Sequence, residues 1–350
     1  MATIQEIKEL ALCAAKRNAP ANYSIDSVDK ALREELGGMA KSINEFNKNK
    51  YDIFEIIIET ADEIVPKNVI DRIGMFAEVQ VVPQGQRAIF KNKKGRMRAK
   101  KFLTQVGLSG VYETFRLDSD TFTVNMGAVG GAGTIDFERF LDGAENMADI
   151  MEIVTEGLED AIYYQTMAAL KAAYNAQGRP AANQYYDNGF DPEHMFKLIT
   201  TVKAYGEGVN IFATPAFIGA MGPDCIVPGG ANFQGIYHQD DIDAIHNTGR
   251  IRIFRGTPVV EIPQSYIDEN NDKVTFDDRY AFVLPTGGEK VVKVVLEGQT
   301  QMWDYINKDQ SIEINTYKKM GLGVMTHHNW GIYVNAALED NSYNPYGYNF

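Results

Sequence analysis

Residues 144–177 read AENMADIMEIVTEGLEDAIYYQTMAALKAAYNAQ and form the longest segment of the chain with an unbroken helical apolar period. Gly178 and Pro180 follow this segment as a stop signal. The segment predicts an amphipathic helix about 50 Å long, with one buried and one solvent-facing side, which suits a structural axis. The apolar residues that define the period are Met147, Ile150, Met151, Val154, Leu158, Ile162, Met167 and Leu170.

The composition limits the class of protein. The chain has 350 residues, 45% of them hydrophobic, which is enough for two joined domains or one elongated domain. A formal net charge of −13 excludes a protein that coats nucleic acid over its whole surface, so any basic function must be local. Cys13 and Cys225 lack a metal-binding spacing, which is typical of free thiols in a reducing cytoplasm. Without a signal-peptide core or a run of about 18 apolar residues, we expect a soluble chain.

Three helical patterns occupy the N-terminal part of the chain. They cover residues 3–15, residues 27–38 and residues 39–58, and the third leads to Pro66. Short separate helices are marginally stable on their own. We therefore interpret residues 1–60 as a helical arm that needs a surface elsewhere.

A basic run lies between Glu78 and Glu113, where the chain has no acidic residue. Strand-like segments at residues 77–82 and 102–115 flank this run, so we expect a two-stranded projection with a basic tip. In an acidic chain such a tip favours an acidic neighbour as its partner, and a solvated hairpin without a partner is the alternative. The candidate contact residues are Arg87, Lys91, Lys93, Lys94, Arg96, Arg98, Lys100 and Lys101.

A glycine-rich run, Gly127–Gly133, reads GAVGGAG and follows a strand-like segment at residues 121–126. A glycine-rich turn between a strand and a helix can bind phosphate, but this run has neither the dinucleotide-binding spacing nor the lysine and hydroxyl of a P-loop. We therefore predict a flexible hinge here, with residues 134–136 opening the helix that follows.

The C-terminal half alternates strand-like and helical segments, which predicts a mixed α+β fold. Helical patterns cover residues 191–205 and residues 215–221, and the loop at residues 223–233 is rich in glycine and proline and should be exposed. The strand-like segments are residues 209–213, 251–254, 258–262, 280–284, 291–296, 299–306, 310–317 and 323–334.

Metal and catalytic chemistry has only weak candidates. Residues 268–272 resemble the start of a calcium loop but lack its glycine and its final glutamate, which favours a hairpin turn. His327 and His328 are neighbours in a predicted strand and face opposite sides, while Ser265 and Cys225 have no nearby base. The sequence therefore predicts no catalytic residue, no metal site and no cofactor. The best metal candidate matches no zinc spacing and fits an exposed polar loop better; it comprises His238, Asp240, Asp241, Asp243 and His246.

Two motifs late in the chain, together with the order of the elements, indicate a family. The motifs are Gly256–Pro263, which reads GTPVVEIP, and Gly298–Trp303, which reads GQTQMW. The order is helical arm, basic hairpin, glycine segment, long helix, mixed domain and closing strands. In both respects the chain resembles the major capsid proteins of tailed bacteriophages, which have the Hong Kong ninety-seven-type capsid fold. The resemblance covers nearly the whole chain and contains no catalytic motif.

The resemblance implies an α+β fold with six ranges. In chain order these are the helical N-terminal arm (1–60), a connection into the peripheral domain (61–75), an extended basic hairpin loop (76–124), the peripheral domain with its spine helix (125–188), a mixed α/β axial domain (189–305), and closing strands of the peripheral domain with a C-terminal tail (306–350).

The resemblance also implies a function. The chain would assemble as pentamers and hexamers into an icosahedral shell around double-stranded phage DNA, with weak contact to that DNA and none to a membrane. Its further partners would be a scaffolding protein, a portal and decoration proteins, and it would reach the virion after assembly in the bacterial cytoplasm. The alternatives are an encapsulin-like compartment of the same fold, a nucleic-acid-binding protein that uses the basic hairpin, and an enzyme that uses the His238–His246 cluster.

Overall fold

The protein has an α+β fold, as the sequence predicts. The computed structural model describes residues 3–16, 24–92, 120–135, 147–175, 180–204, 208–221, 253–264, 266, 268–287, 290–306, 312–325 and 330–342. The helices are α1 (Ile4–Ala15), α2 (Ile25–Met39), α3 (Ile43–Ile73), α4 (Met147–Ala172), α5 (Pro192–Lys203) and α6 (Pro215–Met221), with short 3-10 helices at Ala173–Asn175 and Ala181–Asn183. The strands are β1 (Ala77–Val82), β2 (Ile89–Asn92), β3 (Asp120–Thr123), β4 (Met126–Ile135), β5 (Gln184–Asp187), β6 (Val209–Ala213), β7 (Ile253–Phe254), β8 (Thr257–Glu261), β9 (Tyr280–Pro285), β10 (Val292–Ile306), β11 (Ile312–Val324) and β12 (Gly331–Asn335).

Side-chain caps fix the starts of the three N-terminal helices. Thr3 caps α1 in a capping box with Glu6, and the hydroxyls of Ser24 and Ser42 accept hydrogen bonds from backbone N–H groups in the first turns of α2 and α3. Each cap satisfies a backbone donor that has no partner within the helix. The three predicted helices are confirmed.

Helix α3 is longer than the sequence predicts. It passes through the predicted arm boundary at residue 60 and through Pro66, and it ends at Ile73. Proline removes one backbone donor, and tertiary packing can offset that loss. Val69 and Ile73 lie beyond the proline and are both buried in the main hydrophobic core, which stabilises the last turns.

The predicted spine helix is confirmed as α4. Leu158, Ile162 and Leu170 lie in the main core, which also contains side chains from both large sheets. Met151, near the start of α4, lies in a second core together with residues of α1–α3 and with Ile314 of β11. The spine helix therefore connects the two cores.

The predicted arm helices pack on other elements of the same chain. Their buried side chains form the second core with α4 and β11, which supplies the surface that the sequence requires. Ion pairs add to this packing: Arg33 of α2 lies 2.7 Å from Asp149 of α4, and Lys50 of α3 lies 2.9 Å from Asp304 of β10. The arm is therefore anchored both to the spine helix and to the sheet.

A four-stranded sheet has the strand order β1–β10–β11–β4, in which β1 runs parallel to β10 and the other pairs are antiparallel. The sequence predicted two separate strands at residues 291–296 and 299–306. They form the single strand β10, whose register with β11 shifts between Glu297 and Gln301. Gly298 lies at this shift with a φ of +67°, a conformation that favours glycine.

The hinge predicted at Gly127–Gly133 is wrong, because these residues lie within β4 and pair with β11. Thr134 and Ile135, which we expected to open a helix, end the same strand. A Cβ on Gly130 would lie 2.2 Å from the carbonyl oxygen of Thr316, so β11 approaches too closely for a side chain. Glycine at this position serves close strand packing rather than flexibility.

A six-stranded sheet has the strand order β5–β12–β9–β6–β8–β7. Helix α5 packs against it through Leu198 and Val202, and α6 packs against it through Phe217. The predicted strand at residues 209–213 and the predicted helix at residues 215–221 are both confirmed.

Each large sheet takes strands from more than one of the predicted ranges. Strand β10, all but the last residue of which lies in residues 189–305, pairs with β1 and β11. Strand β12, in residues 306–350, pairs with β5 and β9. The single strand predicted at residues 323–334 is wrong, since β11 ends at Val324 and β12 begins at Gly331. Apolar alternation identifies strands without specifying their partners.

Candidate intersubunit surface

The predicted basic projection has a two-stranded base formed by β2 and β3, which we call the ribbon base. In it Phe90 lies opposite Phe122, and Lys91 lies opposite Thr121. Arg87 precedes β2 and is exposed. The predicted strand at residues 77–82 forms as β1, but it pairs with β10 of the four-stranded sheet and is not part of the projection. The paired strands at the base are β2 and β3 instead, and the other predicted strand of the projection, residues 102–115, lies outside the described residues. The other candidate contact residues lie outside the described residues; they are Lys93, Lys94, Arg96, Arg98, Lys100 and Lys101.

Apolar contacts hold the ribbon base against the side of the four-stranded sheet opposite α4. The rings of Phe90 and Phe122 stack with their centroids 5.6 Å apart. Phe90 is buried together with Val124 and with Val295 of β10. Ile89, the neighbour of Phe90 on β2, is 63% exposed. One face of the ribbon base therefore belongs to the subunit core, and the other faces solvent.

A buried lysine lies under the ribbon base. Lys293 of β10 is 1% exposed, forms a salt bridge with Glu78 of β1, and has its Nζ 5.4 Å from the centroid of the Phe90 ring. Further along β10, the Glu297 carboxylate accepts a 2.8 Å hydrogen bond from the backbone N–H of Gly85. A buried charge needs such partners. Our sequence reasoning missed this lysine, although a lone lysine in the apolar run VVKVVL is a usable signal.

The solvent-facing side of the spine helix is acidic. Glu152, Glu156 and Asp160 recur every four residues and are exposed, and Ile153 beside them is 69% exposed. Asp160 pairs with Arg72 at 3.0 Å. Within the described part of the chain, no lysine or arginine forms a salt bridge with Glu152 or Glu156. Like charges at this spacing repel one another, so this face favours a basic partner.

The candidate metal and catalytic residues other than residues 268–272 lie outside the described residues; they are His238, Asp240, Asp241, Asp243, His246, His327, His328, Cys225 and Ser265. In the ranges that the structure covers, no group of three or more His, Cys, Asp or Glu side chains is arranged to hold a metal ion. None of the helices in those ranges is long and apolar enough to cross a membrane.

Residues 268–272 form the turn that the sequence predicts. The Asp268 carboxylate accepts hydrogen bonds from the backbone N–H groups of Asp272 at 3.1 Å and Lys273 at 2.8 Å, and Tyr266 forms an antiparallel bridge with Val274. The hydrogen bond from Lys273 is the main cause that holds the pKa of Asp268 below its ordinary value. The carboxylate therefore acts as a turn cap.

Comparison with protein families matches residues 14–334 to the family described as "SPbeta prophage-derived putative capsid protein YonB". The chain belongs to this capsid protein family. The match confirms the resemblance to phage capsid proteins that the sequence indicates. A search of curated proteins found no match.

Solved structures similar to this capsid protein share little sequence with it. The mature capsid of bacteriophage PhiM1 is 10% identical, with 76% of this chain and 87% of that chain covered and a TM-score of 0.48. The capsid of cyanophage P-SCSP1u is 10% identical, with 75% and 88% covered and a TM-score of 0.48. The SrpI encapsulin of Synechococcus elongatus PCC 7942 is 11% identical, with 76% and 88% covered and a TM-score of 0.44.

A buried carboxylate connects the spine helix of this capsid protein to the six-stranded sheet. The Asp277 side chain is fully buried and lies 2.6 Å from Lys171 Nζ at the end of α4 and 2.7 Å from Arg279 Nη2 before β9. Asp340 binds the same guanidinium. Burial acts to raise the pKa of Asp277, but the hydrogen bonds from Arg279 and Lys171 outweigh it and hold the pKa below its ordinary value.

Proposed function

We propose that this chain is the major capsid protein of a tailed bacteriophage and assembles as pentamers and hexamers into an icosahedral shell around double-stranded DNA. Membership of the capsid family supports the capsid role. The observation that supports the assembly mechanism is the ribbon base, because its two strands are joined by the basic run and its inner face is fixed to the subunit core.

The proposed intersubunit contact joins the basic run of one subunit to the acidic side of α4 in its neighbour. Glu152 and Glu156 are exposed and lack a cation within the described part of their own subunit. Exposed ion pairs contribute about 0.2–1 kcal/mol each, so a single pair is weak and several pairs together are needed for a useful contact. Salt should weaken assembly because these charges are screened.

The other partners follow from the same proposal. They are a scaffolding protein, a portal and decoration proteins, and the protein resides in the virion after assembly in the host bacterial cytoplasm. The net charge of −13 supports weak contact with the packaged DNA, because negative surfaces and phosphates repel one another. The role is structural, without catalysis or a cofactor.

Electron microscopy of the full-length chain tests shell formation. After expression alone, negative-stain images in low salt should show closed shells or rings of capsomers, with fewer of them in high salt. A uniform monomer at both salt concentrations, even with the scaffolding protein of the same phage added, would contradict the proposal. Nuclease-protected DNA in shells made during infection would support the phage function, whereas an enclosed enzyme would support the encapsulin alternative.

Charge reversal tests the role of the basic run. Lys93, Lys94, Arg96 and Arg98 are replaced together by glutamate, which should prevent shell assembly and leave the circular dichroism of the subunit unchanged. A matched control replaces four exposed lysines elsewhere by glutamate and changes the net charge equally; these are Lys30, Lys41, Lys48 and Lys197. Equal assembly of the two variants would contradict the proposed contact.

A further inference from the structure

Two glycines of β11 lie directly against the chain that forms the ribbon base. A Cβ on Gly321 would lie 2.7 Å from Met126 Sδ and 2.8 Å from Val124 Cγ1. A Cβ on Gly323 would lie 3.1 Å from Val124 Cγ2 and 3.4 Å from Phe122 Cε2. The distances at Gly321 are too short for a Cβ unless Val124 and Met126 shift, and Gly323 has one tight contact at 3.1 Å and one ordinary contact at 3.4 Å. The chain that leads from β3 into β4 therefore packs closely against both glycines.

The backbone of β11 does not itself require either glycine. Neither Gly321 nor Gly323 has a positive φ, and glycine weakens the interior of a strand. Gly321 pairs with Val295 of β10, and Gly323 pairs with Lys293. Paired residues share one side of a sheet, so the two glycines lie on the side that the ribbon base covers. The missing side chains at both positions therefore leave room for the chain that runs from β3 into β4.

Contacts with β10 also hold the ribbon base, and the loop before it, against the four-stranded sheet. The Phe90 ring of the ribbon base lies over the Lys293 ammonium. Before β2, the backbone N–H of Gly85 donates to Glu297. A Cβ on Gly298 would lie 3.2 Å from the Cβ of Gln84, so this loop also approaches the sheet closely. The ribbon base is thus held from both flanks, by polar groups and by close packing.

We propose that Gly321 and Gly323 are positioning residues that set the angle at which the ribbon leaves the sheet, before the subunit meets a neighbour. This inference rests on the proposed function, in which the basic run contacts the next subunit. It adds that the direction in which β2 and β3 leave the sheet is fixed within the isolated fold. A base fixed in advance lowers the ordering cost of a contact with a neighbour.

Hydrogen exchange of the full-length, unassembled subunit tests the inference. The backbone amides of β2 and β3 should be protected in the wild type before assembly. Gly321→Ala should speed their exchange by about tenfold or more, because the new methyl group displaces Val124 and Met126, which lead from β3 into β4. The amides of β5 and β12 in the other sheet should not change. Gly133→Ala is the matched control, since this strand glycine is exposed and an added Cβ would have no atom within 4 Å.

A milder variant keeps the test valid if Gly321→Ala does not fold. Gly323→Ala meets mainly Val124, so it should speed exchange in β3 less when Val124 is already alanine. Equal acceleration in both backgrounds would overturn the inference. It would also be overturned if the wild-type amides of β2 and β3 exchanged as fast as those of an unstructured peptide until shells form.

Failure of this inference can be distinguished from failure of the proposed contact. Exchange in the unassembled subunit does not depend on the charges of the basic run. If the charge-reversed variant assembles normally, the contact with the neighbour is disproved and the exchange data still decide the role of the glycines. If neither alanine variant alters exchange in the ribbon base, the positioning role is disproved whatever the assembly result.

Discussion

Lys171 Nζ lies 2.6 Å from a carboxylate oxygen of Asp277, and this ion pair joins the end of the spine helix to the turn before β9. Arg279 binds the same carboxylate. Because the Asp277 side chain is fully buried, its charge depends on these two cations rather than on water. Loss of the Asp277 charge, by mutation or protonation, would therefore weaken this polar connection between the spine helix and the six-stranded sheet.

Asp277→Asn should lower the free energy of unfolding by about 1–3 kcal/mol at neutral pH, because the neutral side chain loses its ion pairs with Lys171 and Arg279, while Asp340 remains near both cations. Denaturant unfolding of the unassembled subunit measures the change. Asp272→Asn is the control, since that side chain is exposed, and it should change stability by less than about 0.5 kcal/mol. Similar losses in the two variants would show that the buried ion pair does not stabilise the fold.

The stabilisation from Asp277 should depend on pH with a defined sign. Its folded-state pKa is lowered from the ordinary value of 3.8, so its stabilising effect is present above about pH 4 and is lost as the pH falls through the folded-state pKa. The difference in stability between wild type and Asp277→Asn should therefore shrink below about pH 4. Unfolding curves at a series of pH values test this, and a constant difference down to about pH 2 would contradict it.

The ribbon base offers a matched pair of neighbouring residues. Phe90 is 4% exposed, whereas Ile89 is 63% exposed. Phe90→Ala should destabilise the subunit by about 3 kcal/mol, because it leaves a cavity above Lys293 and removes the stacking partner of Phe122. Ile89→Ala should cost less than about 0.5 kcal/mol. Thermal unfolding of the two variants under identical conditions measures both losses of stability. Equal losses would place the ribbon base outside the core.

The two glycines Gly130 and Gly133 of β4 should respond differently to alanine. Gly130→Ala should destabilise the subunit by about 1–3 kcal/mol, since its Cβ would collide with Thr316. Gly133→Ala has open space and should be neutral or stabilising by about 0.5 kcal/mol. Denaturant unfolding provides the comparison. If both variants lost stability equally, the role of Gly130 in strand packing would be wrong.

Local patterns predicted the elements whose partners are close in sequence or whose burial is one-sided. The spine helix, the strand at residues 209–213 and the helix at residues 215–221 follow from apolar period, turn residues and caps. The glycine run of β4 was misinterpreted because the reason for Gly130 is Thr316, a residue far along the chain. Pro66 misled for a similar reason, since tertiary burial of later residues maintains α3.

The charged surfaces were predictable from the sequence. The contacts that hold the ribbon base in place were not. An acid-free basic run is visible in any linear sequence, and so is the spacing of Glu152 and Glu156 on the spine helix. That Lys293 lies under Phe90, and that Gly321 makes room for Val124, depends on strands from opposite ends of the chain packing together. Single-sequence periodicity does not report such long-range contacts.

The central claim, a contact between the basic run and the spine helix of the next subunit, is tested most directly by exchanging the charges. Shell assembly is measured by sedimentation and electron microscopy for the ribbon variant with glutamate at positions 93, 94, 96 and 98, with and without Glu152→Lys and Glu156→Lys. A second background carries Glu34→Lys and Glu269→Lys, two exposed positions elsewhere, as the control for net charge.

We predict that the ribbon variant alone does not assemble, and that the two lysines on the spine helix restore shells where the control lysines do not. Restoration reflects renewed attraction between complementary charges. Equal assembly in the two backgrounds, whether both restored or both absent, would contradict a direct contact between these surfaces.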